Sequence, residues 1–157
     1  MTEVNGLRLA YKGFVGGLAG GYVWAAIAML LAGIVHADPL RALEPFALAL
    51  SPVAGSPELA FVLGLAAVQA AGALVGMCFA YFFGRFFTVR PTLGTAAPIA
   101  ALLAWGLIAA SLGRGMPGIE LVAAWISVLA TIGYGLVLGA TVPVRSAVAR
   151  NPDSPAA

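Results

Sequence analysis

Four stretches of this 157-residue chain carry no charged side chain: Gly13–Val35, Leu59–Gly84, Pro91–Gly113 and Leu121–Val144. Crossing a hydrocarbon core about 30 Å thick takes roughly 20 consecutive apolar residues, and each stretch is longer than that. Inside lipid no water is present to bond the backbone, so a spanning segment must satisfy its own N–H and C=O groups, which a helix does. The pattern predicts an all-α polytopic membrane protein, a four-transmembrane-helix bundle built as two helical hairpins. It forms a single membrane domain over 1–157, with spans at about 13–35, 59–83, 92–112 and 121–142. Composition points the same way, with 62% hydrophobic and 9% charged residues against about a quarter charged in soluble domains.

The few cations set the threading. Arg8 and Lys12 precede the first span, Arg85 and Arg90 lie between the second and third, and Arg145 and Arg150 follow the fourth; the other two connections hold only Arg41 and Arg114. The richer side faces the cytoplasm, so both termini are expected there, in a bacterial-type inner membrane. Arg8, Lys12 and the tripeptide Val35-His36-Ala37 loosely imitate a signal peptide with a cleavage site. The first apolar run is too long for that role, because a signal core has about 7–15 residues, and it is read as a retained helix.

Small residues recur at helical spacing. Gly13, Gly17, Gly21 and Ala25 are four apart and share one helix face, with Gly16 and Gly20 beside them. Ala60, Gly64, Gly72, Gly76 and Ala80 repeat the pattern in the second span, which makes it the natural mate of the first, and Gly135 and Gly139 repeat it in the fourth. Smooth stripes of this kind let helix backbones approach closely. Bulk is placed elsewhere on the first helix, at Tyr22, Trp24, Met29, Leu30 and Leu31. The stripes outnumber what four helices need, which predicts self-association or a larger membrane-protein partner.

The connection 36–58 is proline-rich yet apolar. Asp38-Pro39 reads as a helix start; Leu40, Leu43, Phe46 and Leu50 then line one side of a short interfacial helix divided at Pro45, or else the segment is an irregular loop. Pro98 is placed in the first turns of the third helix, and Glu120 at the start of the fourth. Tyr81, Phe82, Phe83 and Phe86 around Arg85 suit an aromatic belt at the cytoplasmic surface. Residues from about 146 to 157 read as a disordered tail.

Chemistry is conspicuous by its absence. No Asp, Glu, Lys, Arg or His lies within a predicted span, whereas proton relays and ion-coupled carriers depend on such groups. The first span lacks the carboxylate of small multidrug exporters, and the facing helices lack the histidines of di-haem cytochromes. The lone cysteine, Cys78, rules out an internal disulfide and is read as a small packing residue. No cofactor, metal or catalytic residue is expected, and a net charge of +2 gives no basis for nucleic-acid binding. His36 beside Asp38 is read as an interfacial polar pair, with a metal or acid–base role as the alternative. Gln69, mid-membrane, reads as an interhelical hydrogen bond worth about 0.6 kcal/mol, or as a solute contact on a path lined also by Ser111, Ser127, Thr131 and Tyr134.

With its glycine-rich first span and the motif Gly135-Leu136-Val137-Leu138-Gly139 in its last, the chain resembles the loosely defined, uncharacterised small four-helix bacterial integral membrane proteins. That resemblance implies the fold and brings no catalytic residue. The expected role is a structural or accessory subunit of a larger membrane assembly or homo-oligomer, with the lipid bilayer as its surroundings. The alternative is a passive channel or carrier for a small neutral solute.

Overall fold

The computed structural model describes residues 6–51, 56–84, 86, 90–112 and 124–143. Among these the chain is helical, without strands: α1 is Gly6–His36, α2 Glu44–Leu50, α3 Pro57–Phe83, α4 Arg90–Leu112 and α5 Ala124–Thr141. By length and composition α1, α3 and α5 are each able to cross a membrane, and the apolar portion of α4, Leu93–Ile108, is shorter. The Arg85 anchor, the turn at 113–118, Glu120 and the tail at 146–157 lie outside the described residues.

Helix ends follow from local chemistry. α1 runs from well ahead of the uncharged stretch to His36, where Ala37 takes a left-handed φ of 56° and breaks the helical hydrogen-bond pattern. Asp38 Oδ1 then accepts from the Leu40 N–H at 3.0 Å and starts a 3-10 turn, Pro39–Ala42. Pro45 falls in the first turn of α2, where its missing N–H has no helical partner to lose, so it divides the two short elements as the sequence suggests. Ser56 Oγ accepts from the Leu59 N–H at 3.2 Å at the start of α3, with Pro57 and Glu58 completing the first turn.

Three antiparallel seams join the long helices in the spatial order α3–α1–α5–α4, while α3 and α4 scarcely touch. At the α1–α3 seam Gly13 faces Gly76 and Gly17 faces Gly72. A Cβ added at Gly72 would lie 2.9 Å from the Gly17 carbonyl oxygen, and one at Gly76 would lie 2.7 Å from Gly17 Cα. Backbone meets backbone, close enough for Cα–H groups to face carbonyls. At the α1–α5 seam Gly16 meets Thr141 and Leu138, and Gly20 lies under the Tyr134 ring, 2.7 Å from where its Cβ would stand. At the α4–α5 seam Gly135 fits against Pro98 and Gly139 against Gly94.

Two expectations need correcting here. Pro98 is well inside α4, whose start at Arg90 precedes the expected one; there the α5 backbone at Gly135 packs directly against the Pro98 backbone, a close approach that a side chain at 135 would prevent. Segment 36–50 forms two short helical elements divided at Pro45 and packs against the bundle. Ala42, Leu43 and Ala47 are fully buried, and Leu43 sits where Gly64 leaves room, so the segment folds down onto α3 and α1. Leu50, expected on the buried side, is 58% exposed.

The surplus of small-residue faces that predicts self-association is mostly taken up inside the bundle, since four helices in this order require three seams. A Cβ on Gly94 or Gly106 of α4 would meet nothing within 4 Å. Gly94 still abuts Gly139 through its Cα, which leaves Gly106 as the exception among the described residues. The bundle is also inverted relative to a water-soluble one. Its seams are glycine and alanine, while Leu30, Ile34, Val62, Leu74, Leu103 and Leu107 are more than half exposed. Cys78 is on this outer surface as well, so it is a surface group and not a packing residue.

Candidate functional site

Among the described residues, the seams leave unfilled a cavity of about 310 Å³ where α3 and α4 diverge. α1 and α5 form its floor through Gly21, Trp24, Thr131 and Tyr134. Val68 and Val75 of α3 and Ala104 and Ile108 of α4 form the sides, and Phe46 and Leu50 of α2 close one end. Every long helix contributes, so the cavity is a property of the assembled bundle.

Three aromatic rings hold this region together. Trp24 is only 5% exposed and meets Phe46 edge-on at 5.4 Å between centroids; Trp105 lies 5.4 Å from Trp24 and 5.7 Å from Phe46. Contacts at these separations add roughly 0.5–1.5 kcal/mol each beyond the area they bury. The cluster ties α2 and α4 to α1, compensating for the poor contact between α3 and α4.

The polar atoms of the cavity are already engaged. Thr131 Oγ1 donates to the Ser127 carbonyl at 2.7 Å and accepts from Trp24 Nε1 at 3.1 Å. The Tyr134 hydroxyl donates to the Gly72 carbonyl at 2.6 Å, crossing the bundle from α5 to α3. A side chain at Gly72 would press on the Tyr134 ring, at 3.3 Å, so this glycine serves both α1 and α5. No charged side chain among the described residues lines the cavity. Its chemistry is therefore that of a hydrocarbon pocket with two satisfied hydroxyls, suited to an apolar guest and poor at proton transfer.

The polar residues singled out in the sequence separate. Gln69 sits at the α1–α3 seam, where, with its amide suitably oriented, Nε2 donates to the Leu18 carbonyl at 2.9 Å and Oε1 accepts from the Tyr22 N–H at 3.1 Å. It is an interhelical clamp beside Gly21. Thr131 and Tyr134 of the expected path face the cavity together, whereas Ser127 is buried outside its lining and the Ser111 side chain lies outside the described residues, so Gln69, Ser127 and Thr131 do not line one path. Helix rotation is the reason: Gln69 projects toward α1 while the cavity begins at its neighbour Val68. The glycines are placed at the seams, with Gly13, Gly17 and Gly21 facing α3, Gly72 and Gly76 facing α1, and Gly135 and Gly139 facing α4.

No protein-family model, curated protein or solved structure matches the chain. The site is accordingly read from its own geometry. Near the end of α1, His36 Nε2 and Arg41 Nε are buried with no hydrogen-bond partner among the described residues, while Asp38 is occupied in its turn. Among the described residues no three His, Cys, Asp or Glu side chains come together as metal ligands.

Sequence reading missed the aromatic cluster and assigned Trp24 to the bulky side of α1. A signal was available. Trp24 follows Gly17 by seven residues and Gly21 by three, which puts it on the glycine face as a continuation in large residues. Trp105 carries the same signal, four residues after Ala101 and eight after Ala97 on the narrow side of its helix; Phe46 had none, and the meeting of the three rings depends on how three helices rotate.

Proposed function

We propose that the chain is a four-span protein of a bacterial-type cytoplasmic membrane, with both termini cytoplasmic, acting as a non-catalytic structural or accessory subunit of a homo-oligomer or larger membrane assembly. The inverted distribution of side chains supports the membrane placement: large apolar groups cover the outside and small ones fill the seams. α4 qualifies as a span by its full 23 residues, about 35 Å at 1.5 Å per residue.

One observation carries the subunit role. Gly106 and Ala110 are four apart on α4, and at Gly106 the Cβ direction is open and no seam abuts it, with exposed Leu103 and Leu107 on either side. A notch beside a ridge fits another helix. In mild detergent the protein is expected to migrate above its monomer mass, either alone or with a co-purifying membrane protein. Gly106→Leu is expected to lower the associated fraction without unfolding the bundle. Monomers only, from native membranes at any protein concentration, contradict this role. A second reading, passive carriage of a small apolar solute, is favoured by the cavity and by its lack of charge.

A further inference from the structure

We infer that the cavity between α3 and α4 holds one acyl chain of a membrane lipid, admitted sideways from the outer half of the bilayer. The inference rests on the membrane placement above and adds the occupant. Depth follows from the lining: Gly21 and Trp24 of α1, Val68 to Val75 of α3 and Thr131 and Tyr134 of α5 lie near the middles of their helices, and through Ile108, Phe46 and Leu50 the cavity extends into the half of the bundle that carries His36. With the N-terminus cytoplasmic, that is the outer half.

Size selects among occupants. A helix about 10 Å across fills roughly 120 Å³ per residue, so 310 Å³ takes only two or three residues of a partner helix. A methylene is close in size to a water molecule, whose share of the liquid is about 30 Å³; the cavity of 310 Å³ therefore takes a chain of at least about ten carbons. It is also about twice the volume of a buried apolar cavity that accepts benzene.

Chemistry excludes the other candidate. Water requires two to four polar partners, and the hydroxyls of Thr131 and Tyr134 already bond Ser127, Trp24 and Gly72. Left empty, the walls forfeit their dispersion contacts. The bilayer supplies hydrocarbon at the gap between α3 and α4, and a chain entering there meets Val68 and Val75 on one side and Ile108 on the other. Its tip reaches Trp24 and Phe46. Because no charge lines the cavity, the site selects the chain and not the headgroup.

Trp24 is the reporter, since at 5% exposure the lipid around the protein reaches it poorly, whereas Trp125 is 47% exposed. Protein carrying Trp24 alone (Trp105→Phe, Trp125→Phe) and protein carrying Trp125 alone (Trp24→Phe, Trp105→Phe) are reconstituted in vesicles of phosphatidylcholine with brominated acyl chains. Flotation with the vesicles is scored first. Trp24 is expected to lose most of its emission relative to unbrominated vesicles, as much as Trp125 does, and equally with brominated phosphatidylglycerol. Ala71→Leu from the α3 wall or Ala104→Leu from the α4 wall is expected to restore Trp24 emission and leave Trp125 quenched. A floated protein whose Trp24 is unquenched while Trp125 is quenched overturns the inference, as does quenching that persists in both filled variants. Protein that fails to float overturns the membrane placement itself, so the two failures are distinct. An unquenched Trp24 in a protein that migrates as a dimer assigns the gap to a second copy and also overturns it.

Discussion

Gly17→Leu is expected to destroy the α1–α3 seam and with it the bundle. At position 17 even a Cβ would stand 3.0 Å from Ala73 Cα and closer still to the Gly72 carbonyl oxygen, and both are backbone atoms that have no rotamer to move into. Leucine adds three more carbons. The helices must separate along their whole contact, undoing the Gly13–Gly76 approach and the Gln69 clamp on Leu18 and Tyr22. Forcing methylenes into a packed interior costs about 1–3 kcal/mol, and an immovable backbone puts this case at about 3 or above. In denaturant titration of the detergent-solubilised protein, the variant should lose its cooperative transition. Gly106→Leu is the control, because a Cβ there meets nothing within 4 Å; it should stay within about 0.5 kcal/mol of the parent. Equal effects of the two substitutions would remove the seam from the description of the fold.

Trp24→Ala is the second large effect. In a water-soluble core such a truncation costs about 3–5 kcal/mol. Part of that is transfer from water, which a membrane protein does not have, because lipid tails are as apolar as the core. The remainder is lost packing against Phe46 and Trp105 and a lost bond to Thr131. We expect about 3 kcal/mol, the lower end of that range, seen in the same titration. Trp24→Phe keeps a ring in place and gives up only the indole N–H, so it should cost about 0.6 kcal/mol. Hydrogen exchange should locate the damage of Trp24→Ala in α2 and in the later half of α4, which the ring cluster fastens to α1. Similar losses for Ala and Phe would mean that the hydrogen bond, and not the cluster, holds these elements.

How far such features can be read in advance depends on how many helices they involve. The all-helical character is legible from uncharged length alone. A stripe such as Gly13, Gly17 and Gly21 is a property of one helix, fixed by its 3.6-residue period, and so is the mating stripe at Gly72 and Gly76. The cap at Asp38-Pro39 and the division at Pro45 are likewise local. What could not be read involves the rotation and depth of several helices at once. Tyr134 reaches Gly72 across 62 residues of sequence, and Trp24 reaches Thr131 across 107. The descent of Leu43 into the bundle depends on the space left by Gly64, and the cavity on the failure of α3 and α4 to meet. Proline-rich composition around Pro39 and Pro45 argues for a surface segment, but Ala42, Leu43 and Ala47 are small or apolar enough to be buried once such a space exists.

The membrane threading is tested most directly by thiol labelling in intact cells. With Cys78→Ala as background, single cysteines are placed by Ser51→Cys, Thr88→Cys, Gly115→Cys and Ser154→Cys and challenged with a membrane-impermeant maleimide. A four-span chain with both termini cytoplasmic labels at 51 and 115 from outside, and at 88 and 154 only after the membrane is permeabilised. Labelling of 154 from outside, or of 88 and 115 from the same side, contradicts it.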